Sequence, residues 1–147
     1  MSIEKIQNIQ SICLQKNLRF TALRSNVLEI IITARKPVKA YDILDQLRQK
    51  KFSAKPITVY RTLDFLLQHA FIHKLDSINA FFACLHPLEH NECYFFLCNK
   101  CGKINEIFIN DTKQIMQQIK SNNNFIITKM YLELSGECKN CEFDQVV

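Results

Sequence analysis

The sequence predicts an α+β chain built from two modules. Three observations lead there. Apolar residues recur at helical spacing through the first half. Two short strand-like runs follow directly, at residues 71–75 and 80–85. Beyond them a β-α-β pattern begins, and six of the seven cysteines lie in residues 81–147. The charge divides the same way. Residues 1–80 hold 13 Lys+Arg against 6 Asp+Glu, and residues 81–147 hold 6 Lys, no Arg and 8 Asp+Glu. A balance of +7 against −2 reads as a basic module suited to a polyanion, beside a cysteine-rich module suited to a metal.

The elements follow in order. Ile3, Ile6, Ile9 and Cys13 predict an amphipathic first helix. Thr21 precedes a second helix over roughly 22–33, with Val27, Leu28, Ile31 and Ile32 facing inward, and Pro37 stops it. Residues 40–50 form a third helix with Ile43, Leu44 and Leu47 as its apolar stripe. A fourth starts at Pro56, a residue suited to a first helical turn, and runs through Val59, Leu63, Leu66 and Leu67. The two short runs, separated by Asp76-Ser77-Ile78-Asn79, make a hairpin. Helices followed by a hairpin are the order of a winged helix-turn-helix. Past a polar stretch at 86–92, strands are expected at 94–97 and 104–108, a helix at 111–121 and a strand at 126–134. Asn122-Asn123-Asn124 reads as a turn.

Several function classes drop out. No apolar run approaches the ~18 residues of a membrane span. The first residues lack a basic segment followed by an apolar one, so a cytoplasmic location is expected. With Gly102 and Gly136 as the only glycines, a glycine-rich phosphate loop is unexpected, and no Ser-His-Asp arrangement can be named. The expectation is a binding protein, not an enzyme, with no small-molecule substrate.

Cys98-x-x-Cys101 and Cys138-x-x-Cys141 are separated by 36 residues. Two residues between thiolates let a tight turn set both sulfurs at ~2.3 Å from one tetrahedral zinc ion. Gly102 follows the first pair, where such a turn favours positive φ. Four protein ligands close a site, so this zinc is structural. The rival is a thiol-disulfide enzyme using Cys98 and Cys101, which leaves the second pair unexplained.

In the fourth helix Arg61 lies about 200° from Val59 at 3.6 residues per turn. Ile57, Asp64 and Gln68 share its outer face, and Tyr60 flanks it. A recognition helix needs an apolar back and an arginine able to reach guanine O6 and N7. Lys55, Thr58, Arg24 and Lys39 are candidate phosphate contacts, and Tyr41 could reach a base or a phosphate. The plainer reading of Arg61 is an ordinary solvated face.

The run Ala54-Lys55-Pro56-Ile57-Thr58-Val59-Tyr60-Arg61-Thr62-Leu63-Asp64-Phe65-Leu66 resembles the recognition-helix signature of the ferric uptake regulator family. Lys39-Ala40-Tyr41-Asp42-Ile43-Leu44, Asn79-Ala80-Phe81 and Cys98-x-x-Cys101-Gly102 lie at matching places, and together they most resemble the zinc uptake regulator branch. The resemblance covers roughly residues 5–142. It implies a winged-helix DNA-binding domain over 1–85, a hinge over 86–92 and a zinc-stabilised dimerisation domain over 93–147. It also implies a homodimer that binds double-stranded operator DNA and represses zinc-uptake genes when zinc is plentiful. The alternative within the family is an iron- or peroxide-sensing regulator.

A switch needs a second site, with ligands from both domains. His73, Cys84, His86, His90, Cys93 and Glu106 remain as candidates. The resemblance implies His73, Cys84 and Glu106 as regulatory ligands, for two zinc ions per chain. The family usually has a histidine about seven residues before the first clamp cysteine. Here that position is Asn91, and His90, one step away, is preferred to His86. Cys93 is expected to be a packed or surface thiol. Thiolate with imidazole and carboxylate favours zinc over iron or manganese.

Overall fold

The computed structural model describes residues 2–34, 36–87, 94–107, 112–121 and 132–143. The chain divides into two compact units, Met1–Leu88 and Glu89–Val147.

The first unit contains α1 (Ser2–Gln15), α2 (Ala22–Thr33), α3 (Ala40–Gln49), α4 (Pro56–Gln68), β1 (Ile72–Leu75) and β2 (Ala80–Ala83). Its start signals are local. The Thr21 hydroxyl accepts from the Arg24 backbone N–H at 3.3 Å and caps α2. The Asp42 carboxylate accepts from the Lys39 N–H at 3.3 Å at the head of α3. Pro56 opens α4, where a missing N–H costs nothing.

The buried faces follow the helical stripes, with corrections in three helices; in α2 Ile30 is buried with Val27, Leu28 and Ile31, while Ile32 is half-buried. In α1 the buried residues are Ile9, Ile12 and Cys13, while Ile3 is exposed. Ile9, Ile12 and Cys13 are spaced i, i+3, i+4 and share one face, and the core does not extend as far as Ile3. In α4 Thr62 joins Val59, Leu63 and Leu66 in the core, and Leu67 is half-buried. The Thr62 hydroxyl donates to the Thr58 carbonyl at 2.9 Å, which satisfies it inside the helix.

β1 and β2 pair antiparallel, with His73 opposite Phe82 and Lys74 opposite Phe81. Asn79 closes the turn at φ 49°, a conformation asparagine tolerates. Val38 adds a partner the sequence did not reveal: Val38 and Phe81 exchange two backbone hydrogen bonds of 2.8 Å each. The hairpin is therefore tied to the segment between α2 and α3, as in a winged helix. Phe71, Ile72 and Phe81 join the helices in one core.

The second unit contains β3 (Tyr94–Cys98), β4 (Ile104–Ile107), α5 (Thr112–Ser121), β5 (Glu133–Gly136) and α6 (Lys139–Phe143). β3 is central, antiparallel to β4 and parallel to β5. The short α6 was not foreseen. The turn at 122–124 and most of the strand expected at 126–134 lie outside the described residues. Among the described residues no helix is long and apolar enough to cross a membrane.

Candidate metal centre and nucleic-acid face

The two cysteine pairs meet because the sheet register brings them together. Cys98 ends β3 directly beside Gly136, the end of β5, so Cys138 arrives two residues later. The first pair sits in the β3–β4 turn, where the Cys98 N–H donates to the Lys103 carbonyl at 2.9 Å. In the same turn the Gly102 N–H donates back to the Cys98 carbonyl at 2.9 Å, with Gly102 at φ 71°. Gly136 has its own reason: a Cβ there would come within 3.3 Å of the Phe96 ring. Cys141 rides on α6, and its N–H donates to the Cys138 carbonyl at 2.8 Å.

The four sulfurs all lie within 4.8 Å of one another. Sulfurs bound at ~2.3 Å to one zinc ion sit about 3.8 Å apart at the corners of a tetrahedron. Cys101 and Cys138 Sγ are 3.8 Å apart. The Cys138 N–H points at Cys98 Sγ from 3.4 Å. Backbone N–H groups, first that of Cys101 and then that of Cys138, pull the Cys98 thiol down to about 6. Cys141 is pushed up to about 12, first by hydrogen bonding to Cys138 and then by burial. The opposite shifts have one cause. Four crowded thiols cannot all ionise on their own, so the charge settles where N–H donors face it. A dication removes that conflict and deprotonates the set. The donor set therefore fits zinc. Lys100, which the sequence reading passed over, braces the far side: its Nζ is 3.3 Å from the Cys141 carbonyl and 3.0 Å from Glu137.

The regulatory candidates divide between the units. In the first, His73 lies on β1, and Cys84 follows β2 with its N–H donating to the Phe71 carbonyl at 3.1 Å. The hairpin brings a nitrogen of His73 and the buried Cys84 sulfur within 4.8 Å of each other. In the second unit Glu106 lies on β4, opposite Phe95. His86 is in the described part of the segment after β2. His90, Asn91 and Cys93 lie outside the described residues.

The face of α4 opposite its core is open. Arg61, Asp64 and Gln68 are exposed, as are Lys55 and Thr58. Ile57, Tyr60 and Tyr41 are 58%, 44% and 71% exposed. Tyr41 and Tyr60 line one recess with Pro56, which joins the start of α3 to the start of α4. Arg24 is placed differently from the rest. Its guanidinium lies 3.4 Å over the Phe65 ring and donates to the Arg19 carbonyl. Arg24 therefore also shapes the turn before α2 and holds Arg19 beside α4. Arg19 was not among the sequence candidates, yet it lines a shallow recess with Thr21, Arg24, Thr58 and Arg61. Its signal was a lone cation just before a helix cap, too common to single out.

The ferric uptake regulator family model matches residues 15–135. The zinc uptake regulation protein of Escherichia coli (strain K12) is 34% identical over 139 residues, covering 94% of this chain and 81% of that protein. A zinc uptake regulator solved in complex with zinc and DNA superposes with a TM-score of 0.90 at 32% identity, covering 100% of this chain and 99% of the other. The crystal structure of holo XcZur gives 0.83 at 37% identity, covering 94% and 96%. With the family match spanning both units, the chain belongs to the ferric uptake regulator family.

Proposed function

We propose that this protein is a zinc-responsive transcriptional repressor, a homodimer that binds operator DNA when zinc-loaded and controls zinc-uptake genes. The observation that carries the reading is the pairing of His73 with Cys84 inside the wing hairpin. These two donors lie outside the four-cysteine cluster, on the unit that bears α4. A sensor needs such a second, exchangeable set, because four thiolates in a closed site serve folding.

His73 and Cys84 supply two ligands, Glu106 a third and His90 a fourth. Zinc supplies the dication these donors share. Donors drawn from both units bind one ion only in a restricted relative orientation of the units. In a dimer that orientation sets the distance between two α4 helices, and the spacing of DNA half-sites must match it. Cys84 is the ligand that favours zinc over iron or manganese. Cys98, Cys101, Cys138 and Cys141 hold the structural ion, for two per chain. On the DNA side Arg61 contacts a base, Tyr41 and Tyr60 flank it, and Lys55, Thr58 and Arg24 serve the phosphates.

The test pairs metal content per chain, before and after mild chelation, with operator binding. Cys84→Ser is expected to retain one tightly held zinc and to lose zinc-dependent DNA binding. Loss of both ions in that variant would sink the division into structural and regulatory sites.

A further inference from the structure

We propose that Ile57 is a specificity-determining residue that reads the C5-methyl group of a thymine close to the base pair contacted by Arg61; the inference rests on the DNA-binding reading above. Ile57 sits in the first turn of α4 and is 58% exposed. A β-branched residue in an exposed helical turn gains nothing from packing and lowers helix propensity. A lone exposed apolar side chain needs no explanation. Ile57 is not alone. Tyr60 and Tyr41, 44% and 71% exposed, border the same end of the helix.

The surroundings select the partner. Lys55 lies two residues before Ile57 and Arg61 four after it, both exposed, and the exposed Lys39 directly precedes Ala40 and Tyr41 of the recess at the start of α4. Cations ringing a small apolar contact suit the major groove, where phosphates flank base edges and thymine offers a methyl group. An apolar protein surface would leave those cations to be desolvated without partners.

The geometry also sets a register. Ile57 and Arg61 are four residues apart, about 40° around the helix and about 6 Å along it. At about 3.4 Å per base step that distance spans roughly two steps. The thymine therefore lies within about two steps of the guanine read by Arg61.

The experiment uses the full zinc-loaded chain. Selection from a random duplex library defines its preferred site. Each thymine of that site is then replaced singly by deoxyuridine, which lacks only the methyl group. Wild type is expected to lose about four-fold in affinity at one thymine, the worth of one buried methyl-sized contact. Ile57→Ala is expected to bind the two duplexes equally at that position. Its thymine preference in the selection should vanish, while the guanine assigned to Arg61 remains. Because Ile57 is exposed, the variant keeps its core, and an unchanged melting curve checks this. A full deoxyuridine penalty in Ile57→Ala, or no penalty at any thymine in wild type, overturns the proposal. Failure of the wild-type chain to select any sequence overturns the DNA-binding reading and this inference with it. An unchanged selection by Arg61→Ala, with the Ile57 effect present, would instead remove only the role given to Arg61.

Discussion

Replacing Cys138 by serine tests how the second unit is held together. Among the described residues of that unit, the buried side chains are Tyr94, Phe95 and Cys98. Burial of an apolar side chain contributes about 1.5–3 kcal/mol, so these three supply at most about 9 kcal/mol. A structural zinc site contributes about 10–16 kcal/mol in small peptides. The clamp therefore outweighs the described core. Cys138 also makes two of the contacts between the cysteine pairs, the 3.8 Å approach to Cys101 and the N–H aimed at Cys98. Its loss is expected to cost the second unit about 4 kcal/mol or more, since one ligand of four is gone and the remaining thiolates are left crowded. Amide hydrogen exchange reads this directly. Protection over Tyr94–Cys98 should fall by about three orders of magnitude or more, at 1.4 kcal/mol per decade. Protection over α4 should stay, because its core of Val59, Leu63 and Leu66 belongs to the first unit. Chelation of wild type under reducing conditions should reproduce the pattern. Unchanged protection of β3 in both experiments would refute the argument that zinc contributes more to this unit than its described apolar core does.

Arg61→Ala should leave stability within about 0.5 kcal/mol, since the side chain is exposed. It should lower discrimination between operator and random DNA by about 1–3 kcal/mol, read by competition binding. An equal loss on all sequences would make Arg61 a phosphate anchor. Leu63→Ala should do the reverse, because Leu63 is 1% exposed at the back of the same helix. A cost of about 2–5 kcal/mol in denaturant unfolding is expected, with base preference retained by the folded fraction. His69 provides a pH test. Burial, then Lys16 and Arg24, lower its pKa below 6.5, so the folded state binds fewer protons than the unfolded one. Its contribution is present above about pH 6.5 and is lost as pH falls through the lowered value. Melting temperature should drop less steeply on acidification in His69→Gln than in wild type.

Much of the site was legible because its chemistry is written in spacing. Two Cys-x-x-Cys pairs in one short chain suit two tight turns that share a tetrahedral donor set, and the sulfurs do converge. The stripe of α3 named its own core and that of α4 named Val59, Leu63 and Leu66, since a 3.6-residue period leaves one face apolar. Ile3 misled because periodicity says which face is apolar and not where the core stops. Arg24 was legible only as a cation. That it lies over Phe65, 41 residues away in sequence, is a tertiary contact with no local signal.

Sequence alone determined the α+β class, the two cysteine pairs as one donor set, the order of the first five helices and the residues facing out from α4. Each depends on local spacing, where backbone geometry leaves few choices. The fold decided the rest. It set Cys98 beside Gly136 across a parallel pair of strands, tied Val38 to Phe81, and brought His73 next to Cys84 within one hairpin. These are meetings between residues distant along the chain or set by strand register. They depend on how the whole core packs, which no short stretch of sequence records.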